Sequence, residues 1–92
     1  MTTNKWTIEF KPKALKELKA FDKSTRQRIF KFLDTLIHHH ESPRAVGKAM
    51  KGGLKGLWRY RVGDYRLICH IQDDVLLVVV AQLGHRKEIY EN

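Results

Sequence analysis

Three arginines fall within the short segment W-R-Y-R-V-G-D-Y-R-L at residues 58–67: Arg59, Arg61 and Arg66. A guanidinium stays charged at any working pH and presents a planar fork of donors that grips phosphate through paired hydrogen bonds. Two flanking segments add to this. The stretch P-R-A-V-G-K-A-M-K-G-G-L-K-G, residues 43–56, offers Lys48, Lys51 and Lys55 as further phosphate contacts. It lacks the G-x-x-x-x-G-K-[ST] spacing of a nucleotide-binding loop. Downstream, G-H-R-K-E-I-Y at 84–90 brings His85, Arg86 and Tyr90. Histidine and tyrosine move protons, and tyrosine also stacks on nucleobases. These residue types describe an anion site edged by acid–base groups.

Other chemistries find less support. His38, His39 and His40 are consecutive. Successive helical residues point about 100° apart, so three in a row do not converge on one ion, and the favoured i, i+4 histidine pair is missing. Imidazoles near a helix C-terminus are favourable there when protonated. The single cysteine, Cys69, allows neither an internal disulfide nor a cysteine-based zinc site. The expectation is a site without metal or cofactor.

The net charge is +8 and the isoelectric point about 9.9. Such a balance favours a polyanionic partner. Its distribution is more specific. Between Arg44 and Lys87 stand nine Lys/Arg against three Asp, a local excess of six that coincides with the arginine cluster. A chain of 92 residues is expected to form one domain, residues 1–92, with a single modest core. No apolar run approaches the roughly 20 residues that span a bilayer. The opening M-T-T-N-K-W-T-I-E-F lacks the apolar heart of a signal peptide. A cytoplasmic protein with no membrane partner is expected.

The elements that position these groups can be read from periodicity. Lys5 to Lys11 alternates, with Trp6, Ile8 and Phe10 on one side, as a half-buried strand does. Pro12 suits the first turn of a helix over 12–21, whose Ala14, Leu15, Leu18 and Phe21 share a face. Ser24 with Gln27 predicts a capping box for a second helix reaching about His39, with Ile29, Phe32, Leu33, Leu36 and Ile37 inward. The segment from Ser42 to Gly56 reads as a basic loop. From Leu54 onward the chain reads as a three-strand meander with two-residue turns at Gly63-Asp64 and Asp73-Asp74.

Pairing through those turns sets Arg61 opposite Arg66, Arg59 opposite Ile68, His70 opposite Leu77 and Arg66 opposite Ala81. One face then carries Trp58, Tyr60, Val62, Tyr65, Leu67, Cys69, Ile71, Leu76, Val78 and Val80, a floor for both helices. The other carries Arg59, Arg61 and Arg66 with no Asp or Glu to neutralise them. The fold class is α+β: an N-terminal strand, a helical hairpin, then an antiparallel three-strand meander with both helices packed on one sheet face.

This element order, together with A-L-K-E-L at 14–18, L-K-G at 54–56, W-R-Y-R-V-G-D-Y-R-L at 58–67 and G-H-R-K-E-I-Y at 84–90, resembles the RelE/ParE superfamily of type II toxin–antitoxin toxins, and its RelE-type ribonuclease branch in particular. The resemblance covers nearly the whole chain. It implies a ribosome-dependent, metal-independent endoribonuclease that cleaves mRNA in the A site, the 2′-hydroxyl attacking the adjacent phosphate. It implies site residues Arg59, Arg66, Arg86 and Tyr90. Arginines there stabilise the charge developing on the phosphorane, and deprotonation of the 2′-hydroxyl falls to Tyr90, His85, Lys51 or Lys55. Arg61, Lys48, Lys51 and Lys55 are expected to bind RNA phosphates. Expected partners are the ribosome, mRNA and a cognate antitoxin, through which the complex would bind operator DNA. The alternative is a ParE-like toxin that inhibits DNA gyrase without nuclease activity.

Overall fold

A computed structural model describes residues 6–39 and 42–85. Strand β1 (Thr7–Phe10) leads into helix α1 (Pro12–Ala20), and α2 (Lys23–His38) follows after a short turn. Strands β2 (Lys48–Ala49), β3 (Trp58–Val62), β4 (Tyr65–Gln72) and β5 (Leu77–His85) complete a five-stranded sheet of order β1-β5-β4-β3-β2. β1 runs parallel to β5 with Thr7 beside Leu77 and Phe10 beside Val80, whereas the other neighbours are antiparallel. The expected meander is therefore the centre of a larger mixed sheet. A two-residue strand inside a basic loop has too little alternation to be seen in sequence.

Both helices cover one face. Ala14 and Leu18 of α1 and Ile29, Leu33 and Leu36 of α2 join Tyr60, Val62, Leu67, Cys69, Ile71, Val78, Val80 and Leu83 in one core. Pro12 opens α1 as expected, but Leu15 lies at the margin, 39% exposed. The predicted capping box is displaced. Asp22, not Ser24, is the N-cap of α2, its Oδ1 accepting the Thr25 N–H at 3.1 Å. Ser24 is left inside the first turn. Aspartate is among the best N-caps, and starting the helix two residues earlier buries Thr25.

The β3–β4 hairpin has the expected register, with Val62 opposite Tyr65, Arg61 opposite Arg66 and Arg59 opposite Ile68. Gly63 has φ +61, as a II′ turn requires at its first central residue. A Cβ at this position would also collide with the Arg28 guanidinium of α2.

The β4–β5 connection corrects the sequence reading. Asp73–Val75 form a 3-10 turn and Leu76 follows in the left-handed region, φ 52. Four residues turn the chain instead of two. Gln72 thus meets Leu77, and His70 meets Val79 rather than Leu77. A slip of two preserves which side chains face the helices, so the floor survives, except that Leu76 leaves it for solvent. A bulge between Ile68 and Cys69 of the ladder then advances β5 by one residue: Cys69 meets Val80, but Ile68 meets Gln82 and Arg66 meets Gly84 instead of Ala81. The bulge turns Leu83 inward to pair with Leu67. Where β1 has ended, the Leu83 N–H is taken by Glu17 Oε1 of α1 at 2.8 Å.

The Asp22 cap yields a pH-dependent expectation. Its bonds from the Thr25 side chain and backbone N–H hold the carboxyl below the ordinary aspartate value. A depressed folded pKa gives stability that is present above the unfolded pKa and lost as pH falls through the folded one. Asp22→Ala should therefore lower the thermal midpoint at neutral pH, and the gap from wild type should close as pH falls below the usual carboxylate range. Ser24→Ala should leave the midpoint nearly unchanged at every pH in the same series of melts.

Candidate nucleic-acid interface

The sheet face away from the helices is where the cations gather. β2 pairs with β3 so that Lys48 lies directly opposite Arg59, and Ala49 opposite Trp58. Arg59 in turn faces Ile68, which faces Gln82. In the next row Arg61 faces Arg66, which faces Gly84. Directly opposed residues share a face, so Lys48, Arg59, Arg61 and Arg66 stand on one surface. Like charges opposed across a ladder oppose folding by about 0.2–1 kcal/mol per pair.

These cations are not equally accessible. Arg61, on β3 near the sheet edge, is exposed and Arg59 half-buried, while Arg66 is only 6% exposed. Arg66 is thus the enclosed member of the three. It stands on β4, flanked by β3 and β5, and its neighbour Ile68 is buried with Met50 and Leu57 in a small second apolar cluster on this same face. Arg66 Nη1 donates to the Tyr65 carbonyl at 3.4 Å. A guanidinium held away from bulk water interacts more strongly with an approaching anion than one at the surface.

Two hollows flank the cations. One, about 290 Å³, is lined by Lys48, Ala49, Met50, Lys51, Arg59 and Arg61. The other, about 330 Å³, is lined by Phe32, Val46, Gly47, Lys48, Arg59, Tyr60 and Arg61. Lys48, Arg59 and Arg61 border both. The sequence reading missed the second hollow, because Phe32 and Tyr60 read as core positions and Val46 as plain loop. Gly47, with φ +82, was its one available signal. A Cβ there would lie 2.7 Å from the Arg59 carbonyl oxygen and the Tyr60 ring.

The loop behind this hollow is fastened by side chains of β3. Tyr60 Oη donates to the Pro43 carbonyl at 2.6 Å, and Trp58 Nε1 donates to the Val46 carbonyl at 2.8 Å. Arg44 bonds both Asp73 carboxylate oxygens at 2.6 Å and lies 5.8 Å from the centre of the Trp58 ring. Burial raises the Tyr60 pKa well above the ordinary phenol value, so its hydroxyl stays a donor. Burial likewise pushes the Cys69 thiol up to about 12, which removes it from nucleophilic chemistry.

The remaining candidates are placed as follows. Lys51 joins Lys48 beside the arginines, whereas Lys55 caps the 3-10 turn Gly52–Leu54 and lines neither hollow. His85 pairs with Tyr65 in the sheet, and their rings meet edge to face at 5.6 Å. Tyr65 in turn packs on Phe21, so His85 belongs to the helix-covered side and is not brought to the arginines. Arg86 and Tyr90 lie outside the described residues, as does His40. His38 Nδ1 lies 3.0 Å from Asp34 Oδ1. Among the described residues no three His, Cys, Asp or Glu side chains gather as metal ligands would.

The sequence model described as the ParE toxin of type II toxin–antitoxin system, parDE, matches residues 8–90. The chain belongs to this toxin family. Toxin RelG of Mycobacterium tuberculosis is 40% identical over 48 residues, which are 52% of this chain and 55% of that protein. The match thus spans about half the length of that curated relative. Among solved structures, the RelBE2 toxin–antitoxin complex of M. tuberculosis contains a chain that superposes with TM-score 0.78 at 28% identity, covering 88% of this chain and 98% of the other. The intact E. coli RelBE toxin–antitoxin complex gives 0.72 at 25% identity, over 88% and 96%. This ParE-family chain therefore has the RelE-like fold, two helices on a five-stranded mixed sheet.

Tyr60→Phe tests the fastening of the loop. It deletes one buried donor and leaves the Pro43 carbonyl short of a partner, at a cost of about 1–3 kcal/mol. Urea unfolding should show that loss with an unchanged slope, and limited proteolysis should cut faster between residues 42 and 47.

Proposed function

We propose that this toxin is an endoribonuclease that cleaves mRNA in the ribosomal A site, in the cytoplasm, without metal or cofactor. The observation that carries this reading is the row of Lys48, Arg59 and Arg61 beside the buried Arg66, an arrangement suited to a phosphodiester. Arg61, Lys48 and Lys51 would hold flanking phosphates, with Lys55 at most a peripheral contact. Arg59, Arg66 and Arg86 would stabilise the phosphorane. The 2′-oxygen attacks phosphorus as its proton passes to a base. The bond from phosphorus to the 5′-oxygen breaks and that oxygen takes up a proton, leaving a 2′,3′-cyclic phosphate and a 5′-hydroxyl. Arginine cannot supply the base at working pH. Tyr90 is assigned the proton transfer, with Lys51 the alternative. His85, ring to ring with Tyr65, is the weaker candidate.

The two solved relatives named above come from toxin–antitoxin complexes. By that likeness a cognate antitoxin partners this chain, an acidic segment neutralising the cationic face, and the antitoxin carries the complex to operator DNA.

Controlled expression with primer extension on a reporter transcript tests the activity, alongside purified ribosomes in vitro. Wild type should yield 5′-hydroxyl ends at A-site codons. Arg66→Ala should slow cleavage on the order of 100–1000-fold. Arg61→Ala, at an exposed position that leaves the core intact, should weaken it as well. Growth arrest with intact transcripts would sink the proposal. It would favour the second reading, gyrase inhibition without cleavage, which the ParE family match supports and a supercoiling assay detects directly.

A further inference from the structure

The larger hollow differs in kind from its neighbour. Its walls are Phe32 from α2, Val46 and Gly47 from the loop, and Tyr60 from β3, while its rim is Lys48, Arg59 and Arg61. Phe32 and Tyr60 form a tilted ring pair, centroids 5.6 Å apart. Tyr60 spends its hydroxyl on Pro43, and Trp58 holds the Val46 carbonyl, so the walls are fixed before any ligand arrives. β2 pairs only with Trp58 and Arg59. Past Arg59, the outer edge of β3 therefore has no strand partner among the described residues, and it borders this hollow. Apolar and aromatic walls, main-chain edge groups and a cationic rim are what a nucleotide's base and phosphate respectively require. The volume, about 330 Å³, sits at the lower end of the range of small-ligand clefts.

We propose that this hollow is a nucleobase subsite, seating the base of a nucleotide whose phosphate rests on Lys48, Arg59 and Arg61. The assignment rests on the reading of the chain as an RNA-cleaving toxin and adds a place where RNA sequence is sensed. The three shared cations form a ridge between a polar trough and a half-apolar hollow. A single strand lying along that ridge presents its phosphates to the cations and splays one base over the side toward Phe32 and Val46. Phosphate contacts on the ridge position the strand, and among the described residues the hollow distinguishes one base from another. A peptide strand added to the edge of β3 would fit the main-chain groups but gives no use to three cations between two hollows.

The test uses the full chain and two non-cleavable probes, a 2′-O-methyl hexanucleotide and the same oligonucleotide with its central base removed. Both keep every phosphate. In NMR titrations the complete oligonucleotide should shift the Val46 methyls and the Gly47 amide together with the Lys48 and Lys51 amides. The abasic one should shift only the lysine amides and bind on the order of tenfold more weakly, the effect of losing one stacked base. Val46→Phe, which fills the hollow, should make the two probes bind alike while leaving the salt dependence of binding unchanged. Phe32→Leu should give an intermediate difference and serves if Val46→Phe does not fold. Equal binding of both probes to wild type, with Val46 and Gly47 unmoved, overturns the subsite while leaving phosphate binding and cleavage standing. Binding of neither probe overturns both. Movement of Val46 and Gly47 with an acidic peptide but not with the oligonucleotide overturns it in favour of a protein-docking edge.

Discussion

Arg59, Arg61 and Arg66 share a face because β3 and β4 are joined by two residues, the first a glycine at positive φ. Every other feature of the cationic surface follows from that register. Side chains alternate along a strand, so one extra or missing residue in the turn would invert one strand against the other, driving either Arg66 or the Arg59–Arg61 pair under α1 and α2 and exposing the core residues of that strand. The helices could not cover such a face, since it would bury charge without compensation. The same ladder thus sets the hydrophobic core and the anion surface at once. The Arg28 guanidinium lying against Gly63 adds a second constraint on the turn, from the helix layer.

The β5 bulge is a smaller device with a local purpose. Without it Arg66 would be paired with Leu83 and the core would lose that leucine. With it, Arg66 faces Gly84, a neighbour with no side chain to crowd the guanidinium. α1 supports the arrangement through Glu17, whose carboxylate takes the strand N–H that β1 no longer reaches. Accessibility of the arginines is then graded by strand position, from the exposed Arg61 through Arg59 to the enclosed Arg66. Outer cations are suited to capture and the inner one to close electrostatic work.

Much of this was legible from local signals. Alternation and a Gly-Asp turn give the hairpin register, and spacings of three and four give both helices. What was not legible depends on distant partners. The four-residue turn ending at Leu76 contains no glycine to announce a left-handed residue. The bulge has no local signature, because its rationale lies in Leu67 and Arg66 on the next strand. Asp22 outcompeted Ser24 as cap through the burial of Thr25, a tertiary preference. The cover over Ile68 and the hollow at Val46 both draw on the segment that read as loop, Met50 in one case and Gly47 in the other. The face of His85 was not legible either, because the bulge sets it.

The parallel pairing of β1 with β5 has a consequence for the life of the chain. Thr7 and Leu77, its first register pair, stand seventy residues apart. β5 also lies between β1 and β4, so β1 and one edge of β4 remain unpaired until it arrives. A nascent chain emerging from its ribosome therefore cannot close its sheet, complete its core or align Arg66 with Gly84 until β5 has been made. A message broken upstream of the codon for residue 77 yields a chain without β5, an unclosed fragment in place of a partial toxin.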